Sequence, residues 1–167
     1  SPSHVYIINM TGNGNRVRMT MKPGYHHGDM RAALIDAGMA ALESEPLDRL
    51  SLRALARGAG VSPTAVYRHF PDKEALVHAL ALAALDRMGD SQRRASDGAR
   101  DRGALAAFCA SGVAYVRFAI AHPTLFRLIW RKPPPVDMLA ASRDDMHPAM
   151  RALRDAIAAV LPPGAPE

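Results

Sequence analysis

Apolar residues recur at helical spacing from about position 29 onward, and no stretch alternates in the way that is typical of a β-strand. A first helix is predicted to begin at Asp29, whose side chain can cap it, and to end near Ser44, before Pro46. Its apolar positions are Met30, Leu34, Ala37, Ala41 and Leu42. The pattern therefore predicts an all-α protein.

Two short helices joined by a tight turn are predicted next. The first covers Leu52–Ala59 and ends at Gly60, which can take a left-handed backbone that larger residues resist. Ser62 and Pro63 start the second, because a hydroxyl cap followed by proline at the first helical position is a strong start signal. This helix ends near Phe70, since a proline follows it.

The rest of the chain is also predicted to be helical. The expected elements are a helix from an Asp72 cap to about Met88, a polar loop at Gly89–Gly98, a helix over 102–121, a short helix from Pro123 to Trp130, and a helix over Val136–Leu161 bent at Pro148. On the helix over 102–121, the apolar face that we expect to pack consists of Leu105, Phe108, Cys109, Gly112, Val116, Ala119 and Ile120.

Two short helices with a tight turn can place one helix in the major groove of DNA. Side chains from the first turns of the second helix would reach base edges, and these are Pro63, Thr64, Ala65, Tyr67 and Arg68. Cations or potential cations that suit the flanking phosphates are Arg53, Arg57, His69 and Lys73. A helical hairpin with no role in DNA binding has the same spacing, so the pattern leaves both interpretations open.

The net charge is +5, and 18 of the 21 cationic residues are arginine. Positive charge favours a polyanionic partner, although an arginine-rich solvated surface gives the same balance. One cysteine, Cys109, excludes an internal disulfide and fits a reducing compartment. No run of consecutive apolar residues reaches the roughly 18 that a membrane span needs. We expect a soluble cytoplasmic protein with no membrane partner.

The stretch from Tyr25 to Leu80 resembles the TetR family of bacterial transcriptional regulators, most closely over Leu50–Phe70 and on through Pro71–Leu76. This resemblance implies that Thr64, Ala65 and Tyr67 contact bases and nearby backbone, and that Arg53 reaches a base or a phosphate. It also implies phosphate contacts for Tyr67, His69 and Lys73. The full set of expected DNA-binding residues is Ser51, Arg53, Ser62, Pro63, Thr64, Ala65, Tyr67, Arg68, His69 and Lys73.

Three of these residues have a structural alternative. Tyr67 could pack inside, His69 could satisfy a helix C-terminus, and Lys73 could be an ordinary solvated lysine. A helical interaction or ligand-binding module that does not read DNA sequence is the alternative for the whole protein.

Residues 115–128 resemble, less specifically, a segment of the sensor domain in the same family. Such relatives usually continue past the region of Leu161 into helices that build the dimer interface, so either that part is missing here or dimerisation is unusual. A small-molecule pocket in this half would be lined by Phe108, Cys109, Tyr115, Phe118, His122, Phe126 and Trp130. For any single aromatic residue in this set, core packing is the better explanation, and only the set as a whole suggests a pocket.

An enzyme is not expected, because no catalytic triad, phosphate loop or set of metal ligands can be assembled from the sequence. The side chains of the adjacent residues His26 and His27 point in different directions, and no second pair of ligands follows at the spacing of a zinc site. No metal or other cofactor is expected.

The expected organisation has three parts. Residues 1–24 are a flexible arm or are foreign to the natural protein, and residues 25–78 form the three-helix DNA-binding domain. Residues 79–167 form a helical sensor and dimerisation bundle, either complete or lacking helices at its C-terminal end. By resemblance to the family, we expect a homodimeric repressor that binds a near-palindromic operator in double-stranded DNA and is released by a small-molecule effector.

Overall fold

The computed structural model describes residues 27–131 and 144–162, with side chains from Met30 onward. The predicted arm at residues 1–24 lies outside this part. Helix α1 covers His27–Ser44, so it starts two residues before the predicted cap, and Asp29 lies within its first turn. The prediction of a cap at Asp29 was wrong. A capping side chain contributes only about 1 kcal/mol, which does not prevent a helix from extending past it.

Helices α2 (Leu52–Ala59) and α3 (Pro63–His69) form as predicted. The Ser51 hydroxyl oxygen accepts the Ala54 N–H at 3.1 Å, and the Ser62 hydroxyl oxygen accepts the Ala65 N–H at 3.2 Å. Gly60 ends α2 with φ 68°, in the left-handed region where a side chain costs energy. The turn between the two helices is therefore fixed from both ends.

The N-terminal core forms where α1, α2, α3 and the start of helix α4 (Lys73–Asp97) meet. It is built from fully buried or nearly buried apolar side chains: Leu34, Leu42, Leu50, Leu55, Ala56, Val66, Phe70, Leu76 and Leu80. A short 3-10 helix at Leu47–Arg49 connects α1 to α2. At the α1–α4 crossing, Gly38 lies so close to Leu80 that an added Cβ would stand 2.8 Å from a Leu80 methyl carbon.

Helix α4 covers Lys73–Asp97, so it is one continuous helix where a polar loop was predicted from Gly89 onward. That prediction was wrong because it took a glycine in a polar stretch as a break. Gly89 is buried in the helix, where a Cβ would stand 2.7 Å from the Cβ of Ala149. Beyond it, an Asp90–Arg93 ion pair and a Gln92–Ser111 hydrogen bond support the polar turns.

The second half packs against α4. It contains a 3-10 helix at Arg100–Arg102, then α5 (Ala104–Ala121), α6 (Pro123–Ile129) and α7 (Pro148–Ala158). Both α5 and α7 contact α4, and α7 also contacts α5.

The predicted helix over Val136–Leu161 is corrected in part. Residues 144–147 are a turn, and residues 136–143 lie outside the described part. Pro148 occupies the first turn of α7 instead of bending a longer helix, because its missing N–H is tolerated there. The His147 Nδ1 accepts the Ala149 N–H at 3.3 Å and caps the helix.

The buried face of α5 differs from the face that the sequence predicted. Helix α5 buries Ala107, Ser111, Ala114 and Phe118. Leu105, Cys109, Gly112, Val116 and Ile120 of the predicted face are exposed, with Phe108 and Ala119 partly buried at its edges. The prediction was wrong because both faces of α5 are apolar, and the face of small residues is the one that packs.

Helix α5 is also the one described helix that is long and apolar enough to cross a membrane by length and composition. Its mean hydropathy is 1.7, because the average tolerates the Ser111, Gly112 and Arg117 that interrupt a strict apolar run. Core helices of soluble proteins pass the same test, so this feature by itself is weak support for a membrane span.

Candidate nucleic-acid interface

Helix α3 turns one side to the core and the other to solvent. Val66 is fully buried between the two short helices, whereas Pro63, Thr64 and Arg68 are exposed. Tyr67 is 43% exposed, so its ring is not part of the core. The predicted base-reading side chains of α3 therefore stand on a free face, with the partly buried Ala65 among them. A short helix held by a cap at one end and a packed valine in its middle presents these groups rigidly.

A depression of about 350 Å³ lies beside α3, where α2 and α4 both begin. Four predicted DNA-binding residues meet in its walls: Ser51, Arg53, Tyr67 and Lys73. The first backbone N–H groups of a helix lack partners within the helix and attract anions. Two helix starts, a lysine, an arginine, a tyrosine hydroxyl and a serine hydroxyl thus surround one concave surface, which suits a phosphate group.

Hydrogen bonds orient several groups around this depression. The Lys73 Nζ donates to the backbone carbonyl of Asp48 at 3.2 Å, which fixes the stem of the side chain and leaves the other N–H donors of the ammonium group for a ligand. The Ser51 oxygen already accepts a hydrogen bond as a cap, while its O–H proton can still be donated.

Three further residues line the depression, and the sequence analysis did not include them among the DNA-binding residues: Leu52, Pro71 and Asp72. Asp72 caps α4, since its Oδ1 accepts the Ala75 N–H at 2.7 Å. A cap residue at the start of α2 and another at the start of α4 were both visible in the sequence. That the two helices start side by side was not visible, because it depends on the turn after α3.

Other residues that the sequence assigned to DNA contacts do not line the depression. Arg57 and Ser62 are exposed, and His69 is partly buried in the last turn of α3. Behind α3, the Arg31 guanidinium lies over the Phe70 ring, 5.3 Å from its centroid, and holds α1 against the end of α3.

The predicted small-molecule residues are brought only partly together. The Tyr115 and Phe126 rings meet edge to face at 5.4 Å, Phe126 meets Trp130 at 6.4 Å, and Phe118 lies 5.0 Å from His122. Cys109 is exposed on the outer face of α5. A second depression, of about 320 Å³, lies between α1 and α4 and is not lined by any of these residues.

Comparison with known proteins gives a match to one protein family and matches to solved structures. Residues 34–80 match the family described as bacterial regulatory proteins, tetR family. The chain is similar to the structure of a Rhodococcus sp. RHA1 protein of unknown function, with 38% identity and a TM-score of 0.60 over 82% of this chain. It spans 66% of that protein, less than two thirds of its length.

A second similar structure comes from Shewanella sp. PV-4 and is described as a provisional TetR family transcription regulator. Its identity is 22% and its TM-score 0.49, over 77% of this chain and 68% of that one. The matched residues 34–80 begin within α1 and end within α4, so they contain the whole α2–α3 unit and its core. Residues 34–80 thus form a helix-turn-helix domain of the tetR family of bacterial regulatory proteins.

Proposed function

We propose that this protein is a sequence-specific DNA-binding transcriptional regulator of the cytoplasm that reads DNA with α3. The observation that carries this proposal is the free face of α3 next to the depression at the starts of α2 and α4. In this proposal the exposed Thr64 and Tyr67 read base edges, while Lys73 and Ser51, which line the depression, hold a phosphate.

The test is a titration of the protein against fluorescently labelled duplexes, with a selected operator and a scrambled duplex of equal length. Thr64→Ala should weaken binding to the operator by about 1–3 kcal/mol and leave the scrambled duplex unaffected, because base contacts carry sequence information. Equal loss on both duplexes would assign Thr64 to the backbone, not to the bases.

Lys73→Ala should weaken binding to both duplexes and make the dependence on salt concentration shallower by about one counterion. Arg100→Ala is the matched control. Arg100 is an exposed cation in the 3-10 helix before α5, so this substitution removes the same charge at a site far from α3. If the two variants behave alike, the effect of Lys73 comes from net charge and its phosphate contact is refuted.

The regulator is proposed to act as a homodimer on a near-palindromic operator. One α3 helix covers only a few base pairs, so selectivity calls for two copies whose α3 helices lie about 34 Å apart or a multiple of it. The exposed apolar residues of α5 and of α7, among them Ile120 and Ile157, support association of the second half. Sedimentation of the complete protein at micromolar concentration tests this, and a monomer both with and without DNA would refute it.

Repression and release by a small-molecule effector complete the proposal. Helix α4 runs from Lys73 in the DNA-binding face to the contacts with α5 and α7, so a change of its tilt would move α3. An effector that favours one tilt would change operator affinity by about 1–3 kcal/mol. A thermal-shift screen of small hydrophobic and cationic compounds, followed by operator titration with each hit, tests this step. A compound that stabilises the protein without changing operator affinity is not such an effector.

A further inference from the structure

An ion pair joins the second half of the chain to the first turn of α4. Arg131 lies just past the end of α6, and its Nη1 stands 3.3 Å from the Oε1 of Glu74, the residue that follows Lys73. Both side chains are about half exposed, 45% for Arg131 and 57% for Glu74. Exposed pairs of this kind contribute little to stability. What distinguishes this pair is its place next to Lys73, which lines the depression at the starts of α2 and α4.

Helix α6 holds the backbone of Arg131 in place. The Arg131 N–H donates to the Leu128 carbonyl at 3.2 Å. Leu125 and Leu128 are buried, and they belong to the same hydrophobic core as the apolar residues of α1 and α4. Because α6 packs against both of these helices, the guanidinium of Arg131 reaches Glu74 from a fixed base.

The start of α4 carries more negative than positive charge. Lys73 lies between Asp72 and Glu74, so one cation stands beside two carboxylates. The Asp72 carboxylate accepts the Ala75 N–H at 2.7 Å as the helix cap, where the positive end of the helix dipole offsets its charge. Glu74 suits the first turn of a helix for the same reason, but its charge repels a DNA phosphate that approaches Lys73. Arg131 brings a cation that offsets this charge.

We propose that Arg131 is a positioning residue of the DNA-binding surface, which holds the Glu74 carboxylate and neutralises its charge so that a phosphate binds at Lys73. Adjacent residues at the start of a helix place this carboxylate on the order of 10 Å from such a phosphate, about one Debye length at 0.1 M salt, so its charge still acts there. This inference deepens the proposed function and rests on it. It gives the second half of the chain an electrostatic effect on DNA affinity without a contact to DNA.

The experiment is a titration of the full chain against the labelled operator and the scrambled duplex at about 0.1 M salt. Arg131→Ala should raise the dissociation constant for both duplexes by about two- to tenfold, because Glu74 then faces the phosphate without this cation. The increase should shrink at higher salt, which screens charges at this distance. Arg131→Lys keeps a cation at the same position, so its dissociation constants should stay within about twofold of wild type.

Arg87→Ala is the matched control. Arg87 forms the corresponding ion pair between α4 and α1, 2.9 Å from Glu43 and with nearly the same exposure, 46% and 47%. It lies about 20 Å along α4 from Lys73, at 1.5 Å per residue, which is about two Debye lengths at 0.1 M salt. Arg87→Ala should therefore leave both dissociation constants unchanged. Circular dichroism should show that all variants keep their helical content.

A double-mutant cycle shows whether Arg131 acts through Glu74. Glu74→Gln should bind no more weakly than wild type, because it removes a negative charge next to the phosphate. Arg131→Ala should have little further effect in that background, since the carboxylate that it offsets is gone. An equal loss from Arg131→Ala in both backgrounds would overturn the proposal, because Arg131 would then contact DNA itself or act through net charge.

The control and the wild type separate the remaining outcomes. A loss of the same size in Arg87→Ala would also overturn the proposal, since any lost cation would then do the same. DNA binding by the wild type that is insensitive to Arg131→Ala would refute this inference alone and leave the proposed function standing. A wild-type chain that binds neither duplex would refute the proposed function and this inference with it.

Discussion

Substituting Gly89 tests the close crossing of α4 and α7. Gly89 is buried within α4, and a Cβ built there would stand 2.7 Å from the Cβ of Ala149 and 3.4 Å from its Cα. Carbon atoms in contact normally stand about 3.5–4.0 Å apart. Gly89→Ala therefore requires the two helices to separate by about 1 Å, because neither neighbouring atom belongs to a flexible side chain that could rotate away.

Two opposing effects set the magnitude. Alanine favours the helix by about 1 kcal/mol relative to glycine, while overpacking at a well-packed contact costs about 1–3 kcal/mol. We expect Gly89→Ala to lower the free energy of unfolding by about 0–2 kcal/mol. Gly58→Ala gains up to about 1 kcal/mol of helix propensity without any clash, since nothing lies within 4 Å of its Cβ position. The two variants should thus differ by about 1–3 kcal/mol.

Urea unfolding followed by circular dichroism measures both variants, and thermal unfolding gives a second measure at about 2–4 °C per kcal/mol. Equal stability of Gly89→Ala and Gly58→Ala, or a Gly89→Ala that exceeds wild type, would show that α7 does not pack against α4 at this point. A further variant, Ala149→Gly, should restore much of the stability of Gly89→Ala, because it removes the Cβ that the new methyl group meets.

The remaining predictions concern the turn and the surface, and urea unfolding measures each of them. Ser62→Ala should cost about 1 kcal/mol, because the cap bond to the Ala65 N–H is lost, and Ser62→Asp should restore it. Gly60→Ala should cost about 1–2 kcal/mol, since alanine resists φ 68°, and Gly60→Asn should cost less. Arg87→Ala should cost under about 1 kcal/mol, because its 2.9 Å ion pair with Glu43 is nearly half exposed at both ends. A loss above 2 kcal/mol in this last variant would refute a simple surface pair.

The helix-turn-helix could be predicted from the sequence nearly residue by residue. Caps, a first-turn proline and a left-handed glycine act within four residues of the chain, so Ser51, Gly60, Ser62 and Asp72 determine where α2, α3 and α4 begin or end, whatever packs around them. The sequence left open whether Tyr67 packs inside, and the structure leaves its ring 43% exposed beside the buried Val66.

Only the tertiary structure decided features that depend on a distant partner. Gly89 was taken as the end of α4, but the helix continues because Ala149, sixty residues later, packs against it. Both faces of α5 are apolar, so the pattern could not tell which one packs. The small side chains of Ala107 and Ala114 let a neighbouring helix approach, and Leu105, Val116 and Ile120 remain outside. The caps of α2, α3 and α4 could be predicted because a cap hydrogen bond depends on neighbouring residues, although the predicted cap at Asp29 does not begin α1. The choice between two apolar faces depends on shape, which exists only once the partner helix is in place.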